Sequence, residues 1–146
     1  MNFSAMDGVV IEGNRLHDFR ASPTSADHPD MIQFWTNGTR TPTRDVIIRD
    51  NVLDIGNGTA TQSIFMRNDQ VDRGEAGREM FYRNVTIEDN VIVNGAANGL
   101  VVGETDGLVV RNNTVLRGEG VRKDGVGASE TPLIKIADKS VGVVIE

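Results

Sequence analysis

The chain has no cysteine, which excludes disulfides and thiolate metal sites but not an extracellular setting. Aromatic residues make up only 5% of it, with one Trp and one Tyr, so a core must come from Val, Ile and Leu. Such branched side chains pack well on pleated strands and point to β structure. Positive charge is also short. Fifteen Lys and Arg stand against 21 Asp and Glu, for a net charge of −6, which disfavours nucleic acid and anionic membranes as partners. No apolar run approaches the length of a membrane span. The opening MNFSAMDGVV carries neither the charged nor the apolar region of a signal peptide, and the expectation is a soluble chain. At 146 residues the chain reads as one domain, 1–146, long enough to bury a continuous core.

What is present is repetition. VVIEGNRL (9–16), VIIRDNVL (46–53), VTIEDNVI (85–92) and LVVRNNTV (108–115) follow one template, and VVIE (143–146) begins a fifth copy. Each has aliphatic residues, a charge, a small turn-former, an Asn and another aliphatic. Self-similarity of this kind is the signature of a stacked solenoid. A second apolar run follows each copy: DMIQFWT (30–36), QSIFMRN (62–68), NGLVVGE (98–104) and PLIKIAD (132–138). The Asn recurs at intervals of 37, 39 and 23 residues, so the longer coils carry insertions, placed at 18–29, 37–44, 69–83 and 118–131. Their Gly, Asp, Thr and Pro content marks surface loops.

Aligning the aliphatic residues predicts two inward columns, Val9/Val46/Val85/Leu108/Val143 and Ile11/Ile48/Ile87/Val110/Ile145. The outward position beside them then reads Glu12, Arg49, Glu88, Arg111, Glu146. Opposite charges alternate down the stack, as parallel in-register strands ~4.8 Å apart require. Asn14, Asn51, Asn90 and Asn113 form a further column, suited to a side-chain amide ladder at a turn. In the second run, Ile32/Ile64/Leu100/Ile134 and Phe34/Met66/Val102/Ile136 point inward. Gln33/Phe65/Val101/Lys135 and Trp35/Arg67/Gly103/Ala137 point outward. Asp30/Gln62/Asn98/Pro132 and Thr36/Asn68/Glu104/Asp138 flank them.

The repeated V-x-I-x-x-N pattern, covering residues 8–146, resembles the right-handed parallel β-helix of the pectin-lyase-like superfamily. The resemblance implies an all-β solenoid of about four coils. It leaves the activity open, since that superfamily includes polysaccharide lyases, hydrolases, epimerases, phage tailspikes and adhesins. No capping helix precedes Val9, and Glu146 stands in mid-strand. The expectation is therefore a segment of a longer β-helix, or a protomer of a homo-oligomer whose ends a neighbour covers.

Candidate chemistry gathers on the second run. Trp35 suits stacking on a sugar ring, Arg67 suits pairing with a uronate carboxylate, and Gln33, Asn68 and Glu104 complete a substrate surface. Two bland alternatives stand beside this reading: an insertion folds over Trp35, or Arg67 pairs with Asp69 or Glu104. Asp27-His28-Pro29-Asp30 sets a His between carboxylates, an arrangement that tunes a general base, or else caps a turn. It is similar to the Asp-Pro-His-Glu motif of mannuronan epimerases, with Pro and His exchanged and Ala26 where that motif has Tyr. The resemblance implies proton abstraction at a uronate, with His28 as base beside Asp30, Arg67 neutralising the carboxylate and Tyr82 as proton donor. Asp27, Asp30, Asp69, Glu104 and Asp106 offer oxygens for Ca²⁺. Asp30 and Glu104, two coils or ~10 Å apart by strand spacing, form a conceivable glycosidase pair. The expected partner is an acidic polysaccharide at an extracellular, cell or phage surface. The competing class is a non-catalytic rod of a phage tail or adhesin.

Overall fold

The computed structural model describes residues 1–24, 29–59, 61–119 and 130–146. It is a parallel β-solenoid of about four turns, each turn laying down three strands. The first turn contains β1 (Asn2–Phe3), β2 (Asp7–Glu12) and β3 (Arg15–His17), and the second β4 (Asp30–Phe34), β5 (Arg44–Arg49) and β6 (Val52–Asp54). The third begins with β7 (Gln62–Met66), then a short insertion of one helical turn α1 (Asp69–Asp72) and a 3-10 turn (Arg78–Met80). It ends with β8 (Tyr82–Glu88) and β9 (Val91–Asn94). The fourth holds β10 (Asn98–Val102), β11 (Thr105–Arg111) and β12 (Thr114–Arg117), after which β13 (Leu133–Ile136) and β14 (Val141–Ile145) continue the stack.

Like strands of successive turns pair in parallel. The first sheet runs β1-β4-β7-β10-β13, the second β2-β5-β8-β11-β14 and the third β3-β6-β9-β12. Both predicted aliphatic columns of the second sheet lie in register, Val9 with Val46, Val85, Leu108 and Val143, and Ile11 with Ile48, Ile87, Val110 and Ile145. Through the first four copies they point into one core, where Val46, Ile48, Ile87 and Leu108 are fully buried with Phe34, Ile64, Leu100 and Ile92. The expected burial does not extend to the last copy: Val143, Ile145 and Ile134 keep the register but are exposed, because among the described residues no further strand packs beyond β13 and β14.

The template is not one strand but two. After β2, β5, β8 and β11 the chain turns through a single left-handed residue, Gly13, Asp50, Asp89 or Asn112, with φ between 52° and 64°. Gly, Asp and Asn are the residues that reach this region at low cost. The Asn column follows directly and closes each turn. The Asn51 backbone N–H and Nδ2 both donate to Asn90 Oδ1, at 3.1 and 2.9 Å, and the Asn90 pair donates to Asn113 Oδ1 at 3.1 and 2.9 Å. Asn14 repeats the pattern toward Asn51 at 3.0 Å. Nδ2 of Asn90 also reaches the carbonyls of Ile48 and Glu88, so the ladder satisfies main-chain groups that the turn would leave bare.

The outward charges alternate as expected. Arg49 pairs with Glu12 at 3.1 Å and Arg111 with Glu88 at 2.6 Å, while Arg49 also faces Glu88 in register. Those partners hold both guanidinium groups above their ordinary values, through hydrogen bonds to Glu12 and Glu88 respectively.

Candidate functional site

The outer face of the first sheet carries a groove. In β4, β7, β10 and β13, Gln33, Phe65, Val101 and Lys135 stand in one outward row. Trp35, Arg67, Gly103 and Ala137 follow at the strand ends, where their backbone N–H groups bond across turns to Phe3, Phe34, Met66 and Val102 carbonyls. Large side chains at two turns and small ones at the next two leave a depression along the stack. One part, of about 340 Å³, is lined by Gln33, Trp35, Asn37, Phe65, Arg67 and Asp69. The next, of about 420 Å³, shares Phe65 and Arg67 and continues past Val101 and Gly103 to Lys135. Gly103 cannot be larger, since a Cβ there would lie 2.8 Å from Asn68 N and from Met66 O.

The insertion after β7 forms the wall beside Arg67. Val71, Met80 and Phe81 bury one another in a small cluster of their own, with Ala76 against it. Trp35 does not join them and remains 36% exposed at the groove rim. The wall is tied down by Thr36, whose hydroxyl donates to Asn68 Oδ1 at 3.0 Å and accepts from the Gln70 backbone at 3.1 Å. Gln70 Nε2 reaches back to the carbonyls of Thr36 and Thr39.

The expected site residues separate into two groups. Gln33, Trp35 and Arg67 meet at the groove. Arg67 adopts the ion-pair alternative, with Nε 2.9 Å from Asp72 and 3.4 Å from Asp69. Asn68 and Glu104, expected on the substrate surface, are buried beneath it. The Asn68 amide donates to the Met80 carbonyl at 2.9 Å and approaches the Glu104 carbonyl at 3.4 Å. Tyr82 is fully buried in β8, edge-on to Phe34, and its hydroxyl donates to the Arg67 carbonyl at 2.6 Å. Burial pushes that hydroxyl well above the usual tyrosine range, with the charges of Asp69, Asp72 and Glu104 adding to the effect. A phenol held in this way is a poor donor to a ligand.

Asp30 is buried at the opposite end of β4 from Trp35. Its partner in register is Gln62, which accepts a hydrogen bond from Asn98. β10 runs about 13 Å from Asn98 to Val102, and Glu104 lies past its far end, so the strand separates Asp30 from Glu104 and gives no support to a glycosidase pair. His28 and Asp27 lie outside the described residues. Among the described residues no three of His, Asp and Glu converge on a cation position. Of the oxygens expected for Ca²⁺, Oδ1 of Asp69 faces Arg67 and its Oδ2 accepts from the Thr36 backbone, while Oδ2 of Asp106 pairs with Arg78 at 2.7 Å.

Among the described residues no helix is long and apolar enough to cross a membrane. Comparison of the chain with protein-family profiles, curated proteins and solved structures returns no match. The β-solenoid fold is thus established by its strand pairing, and the superfamily resemblance rests on the repeat pattern alone.

Proposed function

We propose that this β-solenoid binds a polysaccharide along the outer face of its first sheet, with Trp35 as the stacking platform. The observation that carries the reading is the exposed indole at the rim of a polar-lined groove, left uncovered although the neighbouring insertion buries its own apolar side chains elsewhere. Phe65 supplies a second ring, and the amides of Gln33 and Asn37 stand ready for sugar hydroxyls. A site at a cell or phage surface accords with such a ligand.

Binding is favoured over catalysis. Proton abstraction at a uronate needs a base, a neutralising cation and a donor around one carbon. Here the Tyr82 hydroxyl is spent inside the core, Arg67 is held by carboxylates, and Asp30 stands at the far end of the strand. A ligand-free rod of a phage tail or adhesin explains the second and third sheets as well, but gives no reason for an uncovered Trp35. Affinity electrophoresis through gels cast with soluble polysaccharides tests the proposal. Retardation should fall roughly tenfold in Trp35→Ala, with a thermal midpoint lowered modestly, since part of the side chain is covered, and still well above the assay temperature. Retardation that survives this substitution would place the ligand on another face.

A further inference from the structure

We infer that the Trp35 end of the groove selects uncharged sugars and disfavours uronates, because the carboxylates of Asp69 and Asp72 outnumber the single guanidinium of Arg67 that they flank. The inference rests on the glycan-binding reading above. One guanidinium faces two carboxylates, at 3.4 and 2.9 Å, so this end carries a net negative charge. Asp69 is not free to swing away. Its side chain is largely buried, and its Oδ2 accepts from the Thr36 backbone N–H at 3.4 Å. Arg73, the next cation on the wall, is tied to Glu75 at 2.8 Å and to Asn37 at 3.0 Å. Lys135 lies two turns further on, ~10 Å by strand spacing, where it donates to Asn98 at 2.7 Å.

What faces a ligand at this end is therefore two aromatic rings, two amides, the half-exposed Arg67 guanidinium and Asp69, with Asp72 on the adjoining part of the groove. Rings take a pyranose face, amides take hydroxyls, and a carboxylate accepts from hydroxyls. Rings and amides ask for no charge on the sugar, and the two carboxylates, one more than Arg67 balances, repel one. Like charges about 4 Å apart in water cost roughly a factor of five in affinity. The penalty shrinks as salt screens it.

The test uses the intact chain on immobilised hexasaccharides in matched pairs: mannose, galactose and glucose oligomers, each beside its 6-carboxylate counterpart. At low salt the neutral member of the bound pair should hold at least about fivefold tighter. Asp72→Asn should narrow or invert that ratio. Asp69→Asn serves as a second variant should α1 fail to form in the first. A uronate oligomer that binds tighter to the native chain, or a ratio identical in both variants, would overturn the selectivity while leaving glycan binding intact. If no member of any pair binds, the glycan-binding reading fails and the selectivity falls with it.

Discussion

The first and second sheets have equal strand numbers and the same parallel pairing, yet their outer faces are built on opposite principles. On the second sheet one position alternates Glu and Arg through five copies of the template, and the Asn ladder follows directly behind the first four. On the first sheet the corresponding rows change character at each turn: Gln33, Phe65, Val101 and Lys135, then Trp35, Arg67, Gly103 and Ala137. Repetition makes a row of like interactions that fixes register and contributes stability. Variation makes relief, and relief makes a groove. The solenoid thus assigns alignment to one side and recognition to another, so substitutions on the two sides should have different readouts.

The largest expected effect lies in the ladder. Asn90 is 1% exposed and is bonded above and below, whereas Asn14 is half-buried at one end of the column. Asn90→Ala strips acceptors from the Asn51 N–H and donors from two carbonyls, in a place water does not reach. It should cost about 3 kcal/mol in urea denaturation, against less than about 1 kcal/mol for Asn14→Ala. Equal losses would mean that the column contributes local turn bonds and no ladder. Neither substitution should alter retardation in a polysaccharide gel.

Tyr82 links the two regions, since it packs in the common core while its hydroxyl supports the Arg67 carbonyl under the groove. Tyr82→Phe should cost about 1 kcal/mol. The pH dependence has a definite sign. The folded chain keeps the phenol proton above pH ~10, where the unfolded chain releases it. This contribution to stability is complete below the unfolded value and is lost as pH rises toward the folded one. As the only tyrosine, it reports without interference. Tyrosinate absorbance should appear together with unfolding, and Tyr82→Phe should remove this part of the alkaline loss. Titration near the ordinary value in the folded chain would show an open phenol and restore it as a candidate donor to the groove.

The aliphatic columns, the alternating charges and the Asn row were legible because each obeys a strict repeat, and neighbours across turns follow from alignment alone. The break of each template into two strands was not, since a turn made by one left-handed residue leaves the aliphatic run nearly continuous. Its trace was the Gly, Asp or Asn before each column Asn. A second left-handed row just ahead of Val9, Val46, Val85, Leu108 and Val143 carries the same mark, at Gly8, Asp45, Asn84, Gly107 and Gly142. Register also slips between Asn98 and Leu100, which sets Asn98 opposite Leu133 and not Pro132. For the groove, alignment brought Gln33, Trp35 and Arg67 together correctly. It gave no distance along the strand, so Asp30 and Glu104 looked near. Nor did it reveal that the insertion after β7 roofs Asn68 and Tyr82.

The smallest expected effect tests how far the charge row extends beyond single pairs. Arg49 makes its ion pair with Glu12, yet register sets Glu88 on its other side. Arg49→Glu would line up three carboxylates at ~4.8 Å spacing and should lower the urea midpoint measurably at low salt, less at high salt. Adding Glu12→Arg restores attraction on one side only, because Glu88 still opposes position 49. About half of the loss should therefore return. Full recovery would show that Arg49 interacts with Glu12 alone and that the row is a set of separate pairs. Half recovery, abolished by salt, would show each charge held between two neighbours, which is how a surface row sets register without a deep core beneath every side chain.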